Sequence, residues 1–208
     1  TAGATDAAEP TPYLPVPTGV ELTGQGSALS VGDAATVAWR PKQTLVGVLG
    51  ITVDTLESTT LKKSFSDWKL PQNLQDASPY FVRVTVTNDG DTQLGGFPIP
   101  LYAVDDSNVL VEASSFVTKF PACPSTPLPK TFAPGDSTTA CLVYLVPDKG
   151  QLTAVSFRPT QEFNPITWSG DVQPYDPKAA ASSGKGSGKG SGKGSDKASG
   201  KGSGSGTS

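Results

Sequence analysis

Residues 80–91 constrain the fold more than any other stretch, because their side chains alternate with a two-residue period and then run into turn-forming residues. Tyr80, Val82, Val84 and Val86 fall on one side of an extended backbone; Phe81, Arg83, Thr85 and Thr87 fall on the other. β-Branched and aromatic residues in this order predict a strand with one face on a core and one near water. Asn88, Asp89, Gly90 and Asp91 then supply residues that tolerate positive φ, so a tight reversal is expected there. The pattern speaks to architecture and carries no chemistry.

Further extended segments are read on the same grounds. Residues 28–39 give two short pieces around the turn Gly32-Asp33, and in residues 46–56 Leu49, Ile51 and Val53 share a face. Between residues 57 and 70 the pattern weakens, and the spacing of Leu61, Phe65 and Trp68 suits either a helical turn or an irregular loop. Residues 94–102, with Gly95, Gly96 and two prolines, read as an edge strand or a loop leading into residues 101–104. A turn at residues 105–108 returns the chain through Val109, Leu110, Val111 and Glu112 as a hairpin. The turn Pro134-Gly135-Asp136 launches residues 137–147, apolar on both faces, as expected for a central strand. After a reversal at residues 148–150, residues 153–158 and 165–168 complete the ordered part. Seven or more short strands and no convincing amphipathic helix predict an antiparallel β-sandwich, with a small barrel as the alternative.

This divides the chain into a Pro/Ala/Thr-rich spacer over residues 1–19, a β-sandwich over residues 20–177, and a Lys/Gly/Ser-rich tail over residues 178–208. In the spacer, Pro10, Pro12, Pro15 and Pro17 each remove a backbone donor, so continuous pairing into a sheet is excluded. The tail offers almost nothing apolar to bury and is expected to be disordered. Its evenly spaced lysines suit either weak, salt-dependent attraction to anionic wall polymers or lipid head groups, or a merely soluble terminus or added linker.

Charge is divided the same way. The 208 residues carry a net charge of −3, and six lysines against one aspartate from Lys178 onward leave −8 on residues 1–177. An acidic body is a poor duplex binder, so no nucleic-acid partner is expected. Neither histidine nor methionine occurs, even at position 1, so the chain is either processed or truncated, and a mature exported protein whose signal peptide has been removed fits. No apolar run approaches the roughly 20 residues of a membrane-spanning helix. Cys123 and Cys141 flank a proline-rich loop. Bonded, they would stabilise the fold by about 3 kcal/mol and place it outside the cytoplasm; the alternative is two unrelated buried thiols.

The strand ending in Thr87-Asn88-Asp89-Gly90, the turn Pro134-Gly135-Asp136 ahead of a long apolar strand, and the cysteine pair flanking that turn resemble the immunoglobulin-like domain of actinobacterial secreted lipoproteins. That domain, of unknown function, is similar to the mycobacterial immunoprotective extracellular antigens, and the likeness spans residues 31–168. The resemblance implies an exported sandwich with a Cys123–Cys141 disulfide and a lipid anchor on a cysteine upstream of Thr1. It brings no activity with it.

Candidate chemistry is narrow. Without histidine, the usual serine and cysteine triads, histidine bases and most zinc or iron sites are excluded. Two carboxylates would suffice for glycosidase-like catalysis, yet the adjacent Asp105 and Asp106 read as turn residues. Asn88, Asp89 and Asp91, with Asp105 or Asp106, are candidate calcium ligands, although hairpin turns use the same residues for backbone reasons. Trp39, Trp68, Trp168, Tyr80, Tyr102 and Tyr144 read either as core or as an aromatic binding surface. The expectation is a non-enzymatic extracellular or cell-surface module without a cofactor, binding a protein or envelope component. The competing readings are a carboxylate enzyme or small-ligand or calcium-binding protein, and a structural envelope or virion component.

Overall fold

A computed structural model describes residues 12–118 and 120–178. Among them the chain forms strands β1 (Ala28–Ser30), β2 (Ala34–Lys42) and β3 (Leu45–Ser58), a one-turn helix α1 (Leu61–Ser64), and strand β4 (Ser78–Asn88). Strands β5 (Tyr102–Asp105), β6 (Leu110–Glu112), β7 (Ser137–Val146), β8 (Leu152–Phe157), β9 (Ile166–Ser169) and β10 (Val172–Pro174) follow. Two sheets result, one ordered β1-β9-β8-β5-β6 and the other β10-β3-β4-β7, with β2 also paired to β3. The protein is a β-sandwich, as the alternation predicts.

The inner faces are the expected ones. Leu49, Ile51 and Val53 of β3, Val82, Val84 and Val86 of β4 and Tyr144 of β7 meet Ala103, Val155, Phe157, Ile166 and Trp168 of the opposite sheet in one core. Fully burying a side chain of this size stabilises by about 1.5–3 kcal/mol, so the period-two stripe drives the layering.

At the corner between β1 and β2, successive amides serve different sheets. Val31 N–H donates to Ser169 O of the first sheet, and Gly32 N–H donates to Val53 O of the second. Gly32 has φ +98°, which a side chain would oppose. Trp168 pins the corner by donating its indole N–H to Asp33 O at 3.0 Å.

Several expectations are corrected. The sandwich is not wholly antiparallel: β1 pairs parallel to β9, and β10 parallel to β3, both three-residue strands that flank a passage of the chain from one sheet to the other. Residues 88–91 make no hairpin, for β4 pairs with β3 and β7 and Gly90 is not among the glycines of positive φ.

The second face of β4 is not simply near water. Phe81 is 0% exposed, covered by a layer of rings in which it meets Phe65, Phe120 and Tyr175. Strand β7 is apolar on both faces yet ends its sheet. Its outer edge is closed by residues 114–125: Ser114 N–H donates to Val143 O and Ser125 N–H to Cys141 O, while Val143 N–H donates to Ser125 Oγ at 3.2 Å. A bare edge would invite pairing with another chain, and these bonds cover its part over residues 141–143.

The ambiguous residues 57–70 resolve into α1, whose first turn Thr60 caps by accepting from Lys63 N–H. The spacer expected over residues 1–19 gives way to fold at Tyr13, which packs edge-on to Phe163 at a ring separation of 4.9 Å. An aromatic ring with a hydroxyl found both an apolar wall and a backbone amide there. The rest of the spacer before Pro12, and the tail beyond Lys178, lie outside the described residues.

Candidate functional site: a proline-walled groove

The candidate site is a groove of roughly 750 Å³ between the two sheets at one end of the sandwich. Its origin is local. Proline has no N–H to extend a ladder, so strands stop or bulge where it occurs. The β2–β3 register slips between Trp39 and Lys42, the stretch holding Arg40 and Pro41; Pro98 and Pro100 precede β5, and Pro159 follows β8. These four prolines all line the groove.

Trp39, Ile99, Leu101 and Phe163 supply its buried apolar surface. The Trp39 ring packs close against Gly47, its partner on β3, because Gly47 has no Cβ: one placed there would meet the indole ring at 2.6 Å and Leu94 at 2.8 Å. Tyr13 closes one side. Its ring stands on Phe163, which in turn stands edge-on to Phe157 at 5.4 Å. Its hydroxyl oxygen accepts from Ala38 N–H at 2.9 Å. Burial pushes the Tyr13 phenol up, and the Ala38 hydrogen bond opposes that shift. Tyr102, half-buried, lies on the opposite strand, and Arg40, Glu112, Glu162 and Gln25 give an exposed polar rim. Such a surface can take an apolar group on its floor and orient it through charged and hydroxyl groups at the edge.

The residues singled out from sequence lie elsewhere. Cys123 and Cys141 form a disulfide, with Cα atoms 5.1 Å apart, tying the 114–125 segment to β7 beneath the ring layer. Asn88 is buried, and its polar atoms serve the backbone: Nδ2 donates to Thr92 O and Phe132 O, and Oδ1 accepts from Gly90 N–H. Asp89 and Asp91 are exposed, and burial of its surroundings pushes the Asp89 carboxyl up. Asp105 is buried and accepts from Ser107 and Val109 N–H at 2.9 and 2.7 Å, which shapes the β5–β6 hairpin. Asp106 accepts from Gln151 N–H at 2.9 Å. Among the described residues no group of three or more Cys, Asp or Glu side chains is gathered as a metal site would need.

The aromatic residues divide between roles. Trp168, Tyr80 and Tyr144 are buried in the core, Trp39 and Tyr102 line the groove, and Trp68 belongs to the ring layer over β4. Sequence reasoning missed the groove; its one legible signal was proline at strand ends on both sides of the sandwich.

No protein-family model matches the chain, and no curated protein matches it. Among solved structures, the chain is similar to MPT63, a secreted protein from Mycobacterium tuberculosis, with 16% identity and a TM-score of 0.49, over 71% of this chain and 100% of that one. No described helix is long and apolar enough to cross a membrane.

Proposed function

We propose that the protein is an exported, non-enzymatic binding module whose groove takes an extended segment of a protein or envelope partner. One observation carries this reading: an apolar, aromatic floor under a rim of opposite charges, in a volume of roughly 750 Å³. Pockets of about 300–1,000 Å³ suit a small ligand or a few side chains, so a short anchoring segment fits better than a whole domain face. The Cys123–Cys141 disulfide supports export, because such bonds persist in oxidising compartments. On the same reading a lipidated cysteine ahead of Thr1 holds the module at the cell surface. The upstream reading frame tests that part, and a frame opening at Thr1 on a plain initiator methionine speaks against it.

Selection from a library of displayed random peptides tests the groove. The expected result is a consensus with an apolar or aromatic anchor, lost in Tyr102→Ser and altered in charge preference by Arg40→Glu. A consensus indifferent to both variants, or none, sinks the reading.

A second reading is favoured by one specific feature: Glu112 and Glu162 both line the groove, and two carboxylates suffice for glycoside hydrolysis. Both are exposed, whereas an acid catalyst of that kind draws on an apolar setting. Hydrolysis of a panel of aryl glycosides, abolished by either Glu→Gln change, would give this reading precedence.

A further inference from the structure

The ring layer over β4 ends in a feature that packing does not explain. Val117 is 105% exposed, so its side chain stands wholly in water at the tip of the 114–125 segment. The segment beneath it is held firmly. Phe116 stacks at a tilt on Phe120 at 5.3 Å and on Phe65 at 6.2 Å, and meets Trp68 edge-on at 5.0 Å. Phe65 and Phe120 lie stacked at 4.7 Å, and the disulfide and the β7 hydrogen bonds close the base. Phe116 and Trp68 remain partly exposed. Val117 is therefore presented as an exposed apolar prong next to the packed ring of Phe116.

The segment that carries Phe65 and Trp68 is basic, against the acidic balance of the rest of the body. Residues 61–70 hold Lys62, Lys63 and Lys69 against the single Asp67, within a chain of pI ≈ 4.9. Lys62 and Lys69 are exposed, one on each side of the Phe65–Trp68 stretch. Lys63 is fixed to the layer, donating to Tyr175 O at 2.6 Å with its ammonium 5.6 Å from the Tyr175 ring centre.

We infer that this tip is a docking site for an anionic lipid surface: Val117 enters the acyl boundary, Phe116 and Trp68 sit at head-group depth, and Lys62 and Lys69 meet lipid phosphates. Two chemistries converge on that occupant. Apolar and aromatic groups on a cationic surface gain from burial in the interface and from the negative potential of the leaflet together. A soluble protein partner without an acidic surface would use the rings but leave the lysines unused. This inference is independent of the groove, and either can fail alone.

The test uses the full chain, sedimented with phosphatidylcholine vesicles with and without phosphatidylglycerol, and read in parallel by tryptophan emission. Trp39 and Trp168 are buried, so a blue shift on adding vesicles reports Trp68. The wild type should bind the phosphatidylglycerol vesicles with that shift. Val117→Asp, at a position without packing to lose, should keep the wild-type melting temperature, bind about tenfold more weakly and lose the shift. Lys62→Glu with Lys69→Glu should reduce binding and flatten its dependence on salt. The tail from Lys185 onward is also basic, and binding unchanged by Val117→Asp would assign the effect to the tail and overturn the inference. No binding overturns it as well. So does a dimer that Val117→Asp dissociates, which would give the patch to a second copy of the chain.

Discussion

The Tyr144 hydroxyl donates to the carbonyl of Leu101 at 3.0 Å, a buried bond that joins β7 of one sheet to the entry of β5 in the other. Tyr144→Phe keeps the ring and leaves that carbonyl without its donor, at a cost of about 1–3 kcal/mol. The urea midpoint should fall with an unchanged slope. Burial, with a smaller contribution from Tyr102, holds the phenol well above its ordinary value of 10.0. The folded pKa is raised, so the neutral phenol's contribution is complete below the unfolded value and is lost as pH rises beyond it. In alkaline titration one tyrosine should therefore ionise only as the protein unfolds, and should be missing from the Tyr144→Phe trace.

What was legible in the sequence follows from which interactions are periodic. Strands β3 and β4 write their burial into alternation and β7 into a continuous apolar run, and the disulfide partners flank a turn that was itself legible. Period two distinguishes two faces of β4 but not what covers each. The rings that bury Phe81 come from residues 65, 120 and 175, in irregular segments with no period. Strand β10 is three residues ending in proline, too short to show a pattern. The groove joins residues 13–14, 25, 39–41, 98–102, 112–113, 159–160 and 162–163, and no local rule brings those stretches together.

Gly47 opposite Trp39 gives the sharpest steric prediction. Gly47→Ala sets a methyl group into the indole and Leu94, and overpacking of this kind costs about 1–3 kcal/mol. The groove floor should move with it, so the emission of Trp39 changes while the strand signal in far-ultraviolet circular dichroism stays. An alanine variant as stable as wild type would mean that the indole does not rest on Gly47.

Removing the disulfide tests the covered edge of β7. Cys123 and Cys141 are 18 residues apart, and a cross-link closing a loop of that size stabilises by about 3 kcal/mol on the chain-entropy account. In the Cys123→Ser, Cys141→Ser double variant the 114–125 segment should loosen before the core does. Amide exchange at Val143, whose N–H donates to Ser125 Oγ, should then accelerate more than exchange at Val84. Concentration-dependent aggregation should follow from the uncovered strand. Equal protection at the two amides would show that the hydrogen bonds alone hold the segment.

Asp54 supplies a prediction in pH. The β3–β4 register slips between Val53 and Thr55, leaving Asp54 as the extra residue. Its carboxylate accepts from Thr85 Oγ1 at 2.9 Å. Burial pushes the carboxyl up, and the Thr85 hydrogen bond pulls it partly back. Because the folded pKa lies above the unfolded one, the native state holds the proton more tightly. The stabilising contribution is complete below the unfolded value and is lost as pH rises through the folded one, so at neutral pH the ionised group is a liability. Asp54→Asn keeps an acceptor for Thr85 and removes the charge. Its melting temperature should exceed that of the wild type at about pH 7 and converge with it once both side chains are neutral, at about pH 3. Thr85→Val removes the compensating donor, so it should push the Asp54 carboxyl higher still and enlarge the gain from Asp54→Asn. Carbon-13 titration of the Asp54 carboxyl in the two backgrounds measures this, and a gap between the melting curves that is constant with pH would assign the effect to strand propensity at the bulge.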